Sequence, residues 1–81
     1  MLKCDLHDYL EIICMFHYNV KVVTKKGASH SGLAEDVLLS DKRQEVLRIK
    51  TVDQDQIEVV TEEIEEIQVI TPNARFQTVR F

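Results

Sequence analysis

The chain has 81 residues, 44% of them hydrophobic and 30% charged, with a formal net charge of −4. That length fits a single domain with one modest core, expected to span residues 1–81, and the composition is too apolar for a disordered chain. The negative charge argues against unaided nucleic-acid binding, and no window approaches the roughly 20 apolar residues of a membrane helix, so a soluble cytoplasmic protein is expected.

The first element is an acidic amphipathic helix. Leu6, Tyr9, Leu10, Ile13 and Phe16 recur at helical intervals along one side, and Asp5, Asp8 and Glu11 form a neighbouring stripe left facing water. Asp5 suits the N-cap, where its carboxylate accepts from free backbone N–H groups, and Asp8 complements the positive end of the helix dipole. The helix is expected from about Leu6 to His17.

Val20 to Lys25 then reads as a strand closed by a Lys26-Gly27 turn. Gly32 to Leu39 and Glu45 to Val52 read as the next two strands, with Ser40-Asp41-Lys42-Arg43 as the polar turn between them. Ile57 to Ile70 is ambiguous, because Ile57, Val60, Ile64 and Ile67 fit a helical period. Nine of the fifteen residues from Ile57 to Thr71 are β-branched, and Glu62-Glu63 suits a tight turn, so two strands are favoured. After Pro72-Asn73, Arg75 to Arg80 adds a last strand, with Phe76, Thr78 and Arg80 on one face and Val79 and Phe81 near the other.

The opening third carries a specific pattern: Cys4-Asp5, Leu10-Glu11, Cys14, the Phe16-His17 pair, and a strand ending in a basic turn at Gly27. Agreement continues through Lys42-Arg43-Gln44-Glu45, the strand with Leu47, and the apolar positions Ile57, Ile64 and Ile67. In these features the chain resembles the Rho-binding antiterminator (Rof) family of bacterial proteins. It departs from the pattern at Ile13, where a small residue is common, and at Leu6-His7, where some relatives are more acidic or carry tyrosine.

A helix followed by five or six short, bent strands is the layout of a small barrel, and the resemblance implies the Sm-like kind. The expected fold is therefore mainly β, a small Sm-like barrel of five to six antiparallel strands with one N-terminal helix capping an open end. The resemblance further implies a non-enzymatic inhibitor of the transcription terminator Rho. It would bind the primary RNA-binding sites on the N-terminal OB-fold domain, keep RNA from loading, and be a monomer when free. Asp5, Asp8 and Glu11 are the implied contacts, with a second contact from Lys42, Arg43 or Gln44. The alternative is an Sm-like RNA-binding or ring-forming module.

Other chemistry finds little support. Cys4 and Cys14 stand ten positions apart on one helix, about 15 Å, beyond the roughly 7 Å limit for a disulfide. Cys4, His7, Glu11 and Cys14 share helical spacings, but such a row is too long to converge on zinc, so no metal is expected. Neither cysteine has a base to activate it, and Gly27 and Gly32 form no phosphate loop, so no catalytic site and no cofactor are expected. Lys21, Lys25 and Lys26, with Tyr18 or Phe76 to stack on bases, would suit RNA, yet read more simply as a solvated strand face and hairpin tip. Between Asp53 and Glu66 stand seven acids and no base, whereas Val20 to Lys50 holds seven bases and four acids. The acid run reads as solvated surface, or as a means of repelling RNA and steering toward a basic partner.

Overall fold

The computed structural model describes the backbone of residues 4–75 and 77–81, and side chains from His7 onward. Helix α1 (Cys4–Met15) is followed by strands β1 (Asn19–Thr24), β2 (Ser29–Leu39), β3 (Glu45–Lys50) and β4 (Gln56–Val60). A 3-10 turn (Thr61–Glu63) then leads into β5 (Ile64–Val69) and β6 (Thr78–Arg80).

The helix packs against β2 and buries Leu10, Ile13 and Cys14. At about 100° per residue the buried arc centres on Leu10, which leaves Tyr9 at its edge. Tyr9 and Phe16, expected on the buried side, are both exposed, and Leu6 has its side chain outside those described. Phe16, its N–H still donating to the Ile12 carbonyl (3.1 Å), falls about 120° from Leu10 and so outside the arc, and α1 itself stops at Met15 rather than His17. His17 takes a left-handed φ of 50° there, its N–H donates to the Cys14 carbonyl (3.1 Å), and the Tyr18 N–H reaches back to Ile13 (3.0 Å). That pair of bonds is the Schellman arrangement, built without the usual glycine. The His17 ring supports it through Nδ1, 3.0 Å from the Ala34 carbonyl oxygen. At the other end, Asp5 lies inside the helix, so it is not the N-cap. Its position in the first turn still favours the helix dipole.

The six strands form one sheet in the order β4-β3-β2-β1-β5-β6, and all neighbours are antiparallel. The long β2 is shared: Ser29 to Leu33 pairs with β1, and Leu33 to Leu39 pairs with β3. The backbones crowd where the partners change, and a Cβ at Gly32 would run into the Lys50 carbonyl. The β2–β3 register shifts between Ala34 and Asp36, leaving Glu35 as the extra residue of a bulge. The architecture is thus mainly β with one helix, as expected, while the sheet itself is unclosed.

Alternation builds the core. Val20 and Val22 from β1, Leu47 and Ile49 from β3, and Ile64 and Ile67 from β5 join Leu10 and Ile13 of the helix. Each fully buried aliphatic side chain contributes about 1.5–3 kcal/mol. The two-strand reading of 57–70 holds, with the 3-10 turn at the expected break. β3 ends at Lys50, short of Val52, because Thr51 already begins a tight turn. β6 is confined to Thr78–Arg80 because the chain before it is tied elsewhere: Asn73 is left-handed and the Arg75 N–H donates to the Tyr18 hydroxyl (3.2 Å). Phe76 lies outside the described residues.

The turns joining β1 to β2, β2 to β3 and β3 to β4 share one hydrogen-bond skeleton. The first residue (Thr24, Ser40 or Thr51) donates its N–H to the carbonyl four residues on, at 2.8 Å in each case. Its hydroxyl accepts from that same residue's N–H at 3.2–3.3 Å. The fourth position is left-handed and is held by Gly27, Arg43 and Gln54, with φ of 85°, 60° and 70°. Only the first of these residues suits that conformation without strain.

Candidate partner-binding face

The acidic stripe of α1 and the β2–β3 turn, separate in the sequence, meet in the structure through one histidine. His7 lies half-buried, its Nδ1 3.2 Å from Glu11 Oε1 one helical turn on, and its Nε2 2.9 Å from Glu45 Oε2 at the start of β3. Glu45 is fixed from its other side by the buried Thr61, whose hydroxyl donates to Glu45 Oε1 at 3.1 Å. Helix, hairpin and 3-10 turn are thereby tied together around one carboxylate.

Asp8 and Glu11 are exposed on this face, while the Asp5 side chain lies outside those described. Lys42, Arg43 and Gln44 are exposed at the hairpin tip that Glu45 terminates. Arg43 and Gln44 border a recess against Val60, Thr61 and Glu62. The structure therefore brings Glu45, at the foot of that hairpin, to the helix stripe, while Lys42 and Gln44 line a separate recess with Arg48 and Glu58.

A groove of about 400 Å³ opens between α1, the second half of β2 and the start of β3. Four carboxylates, from Glu11, Glu35, Asp36 and Glu45, line it together with Met15, Leu38 and Leu39. Asp36 Oδ1 accepts from the Val37 N–H at 2.8 Å, and Glu35 Oε1 accepts from the Gln56 amide at 3.0 Å. Among the described residues, no Lys or Arg forms an ion pair with Asp8 or with these four acids. Sequence reasoning missed His7, Glu35, Asp36 and Glu45 as parts of one face. The bulge at Glu35 and the contact from His7 to Glu45 leave no local signature that would have shown them.

The groove offers no nucleophile. Cys14 is buried at its base, where burial first and the Asp36 carboxylate second push the thiol up to about 12. Nor is Tyr18, among the described residues, a free stacking platform. Tyr18 is buried beneath Phe16, with ring centroids 5.6 Å apart and planes 18° from parallel, and the Arg75 guanidinium lies 5.2 Å from the Phe16 centroid. Tyr18, one of the rings considered for base stacking, is thus committed internally. Lys25 and Lys26 sit at the β1–β2 tip, at the opposite end of β2 from Lys42 and Arg43, so the bases do not merge into one patch.

The whole chain, residues 1–81, matches the family model described as Modulator of Rho-dependent transcription termination (ROF). The chain belongs to the ROF family. Rho is accordingly its partner, and the family's role is regulatory. Among solved structures, YaeO bound to Magnesium from Vibrio cholerae O395 is similar in fold, with a TM-score of 0.86 and 24% identity. The likeness covers 91% of this chain and 95% of that one. No curated protein sequence matches. No helix among the described residues is long and apolar enough to cross a membrane.

Because that relative holds magnesium, the fit of such an ion is a fair question here. His7, Asp8 and Glu11 place one ligand atom each within 4.8 Å of one another. Magnesium demands a near-octahedral shell of oxygens. It commonly takes one or two carboxylates and keeps water in the other positions; the exposed Asp8 and Glu11 are of that kind, whereas the His7 imidazole faces Glu11 and Glu45 and is not an oxygen ligand.

Proposed function

We propose that the chain binds Rho at its primary RNA-binding sites, on the N-terminal OB-fold domain, and blocks RNA loading, suppressing termination with no catalytic step. The observation that carries this reading is the His7 bridge, which ties the helix acids to Glu45 at the foot of the β2–β3 hairpin, on a face where, among the described residues, no Lys or Arg forms an ion pair with the carboxylates. An RNA-binding groove is basic, and carboxylates can take the place of phosphates there through charge-assisted bonds. Asp5, Asp8 and Glu11 are the acidic contacts, and Lys42, Arg43 and Gln44 the second contact. Charges of opposite sign at the two ends of the face fix its orientation on the partner.

The strand order, with its shared β2 and the 3-10 turn between β4 and β5, supports a sheet curled toward an Sm-like barrel. In this account the free chain is a cytoplasmic monomer that does not bind RNA alone. Displacement of labelled cytidine-rich RNA from the Rho hexamer, at two salt concentrations and with a Rho-free control, tests the reading. Displacement that weakens with salt, and no shift in the control, is the expected result. RNA binding in the control, or no displacement, would reject it.

A further inference from the structure

We infer that the groove between α1 and the second half of β2 is a receptor for an arginine side chain that Rho presents beside an aliphatic residue. The inference rests on the proposed docking for the identity of the partner, while the chemistry of the groove stands on its own. The lip is apolar: Met15 and Leu39 line the groove and are 68% and 67% exposed. The walls are anionic, and two of the carboxylates are already oriented. Glu35 is held through Oε1 by Gln56 and Asp36 through Oδ1 by the Val37 N–H, while Arg48, paired with Glu58, acts on both carboxylates through space and forms an ion pair with neither.

The bulge explains how two consecutive acids come to border one groove, since in a regular strand their side chains alternate between faces. A ligand matching these features has an aliphatic stem to cover Met15 and Leu39 and a planar cation able to bond two carboxylates. Arginine combines the two, and its guanidinium sheds water more readily than an ammonium does. The complementary charge is what an RNA-binding surface carries.

The test has two arms. First, the full chain, labelled with ¹⁵N and with ¹³C at the Met methyls, is titrated with acetyl-Leu-Arg-amide and, separately, acetyl-Leu-Gln-amide. Saturable shifts at the Met15 methyl and at the amides of residues 35–39 with the arginine peptide alone, abolished in Glu35→Gln/Asp36→Asn, are the expected result. Equal shifts with both peptides, or shifts centred on residues 53–66, would overturn the inference.

Second, Rho affinity is measured for Glu35→Gln/Asp36→Asn and for Met15→Ser/Leu39→Ser, with folding checked by thermal melts and Leu39→Ser alone as the milder variant. Each is expected to weaken binding about 10-fold, with a shallower salt dependence only for the charge variant. If Rho binds both double variants as tightly as the parent, the groove inference falls and the helix-face reading survives. If the arginine peptide fills the groove but Rho does not bind the parent chain, the docking reading falls and the receptor stands.

Discussion

The acids of the α1 face and the acids between Asp53 and Glu66 look alike in the sequence and differ in what surrounds them. In the second run, Glu58 pairs with Arg48 at 2.8 Å and Glu66 with Arg80 at 3.3 Å. The strands that carry that run, β4 and β5, are separated in the sheet by β3, β2 and β1. The run is therefore spread out and partly neutralised. On the α1 face, acids from a helix and two strands gather around a single histidine and an apolar-lipped groove. The proposed docking face is thus set apart by the convergence of its acids, with no direct Lys or Arg ion pair among the described residues, and not by their number.

The largest expected effect comes from reversing charge in each region. Asp8→Lys/Glu11→Lys is expected to weaken Rho binding roughly 100-fold with the circular dichroism spectrum intact, and Asp53→Lys/Asp55→Lys less than about 3-fold. Equal losses would mean that net charge, not place, governs recognition. Next, Gly32→Ala disrupts the close approach of β2 to the Lys50 carbonyl, outside the residues that line the groove. Urea unfolding is expected to show a loss of about 2 kcal/mol, with Rho binding weakened only in proportion to the unfolded fraction.

The turns sharpen the comparison at smaller scale. Arg43→Gly and Gln54→Gly each relieve a left-handed non-glycine residue, and each is expected to stabilise the fold by up to about 1 kcal/mol. Only Arg43→Gly is expected to weaken Rho binding. If Gln54→Gly weakens it as much, the β2–β3 tip holds no special contact.

The last effect is confined to alkaline pH and is absent near neutrality. The Cys14 thiol titrates near its ordinary 9.0 when unfolded and at about 12 when folded, because burial and then Asp36 disfavour the thiolate. Above pH about 9 the unfolded chain binds fewer protons than the native one, so this group makes stability fall as pH rises toward about 12. Cys14→Ala should flatten that part of the profile, and at pH 8 the native thiol should react with a maleimide far more slowly than the urea-unfolded one.

The elements with strong local signals were legible in the sequence. The amphipathic period located α1, and β-branching in Ile57 to Thr71 favoured strands over a helix there. The helix end was hidden because His17, with φ of 50°, does the work that a glycine usually announces. Tyr9 and Phe16 were assigned to the core because periodicity does not fix where a helix stops or how wide its buried arc is. For the candidate face, the stripe and the turn were both readable, but their meeting was not. It depends on His7 reaching Glu45 across the fold, and on a bulge at Glu35 that follows from how β2 is divided between β1 and β3. The resemblance to the Rof family supplied the partner, which no spacing of residues specified.

Amide hydrogen exchange of the chain, free and bound to Rho, locates the docking face on the protein itself. Added protection over α1 and residues 40–45, with residues 53–66 unchanged, is the expected result. Protection concentrated between Asp53 and Glu66, with α1 exchanging as in the free chain, would contradict it.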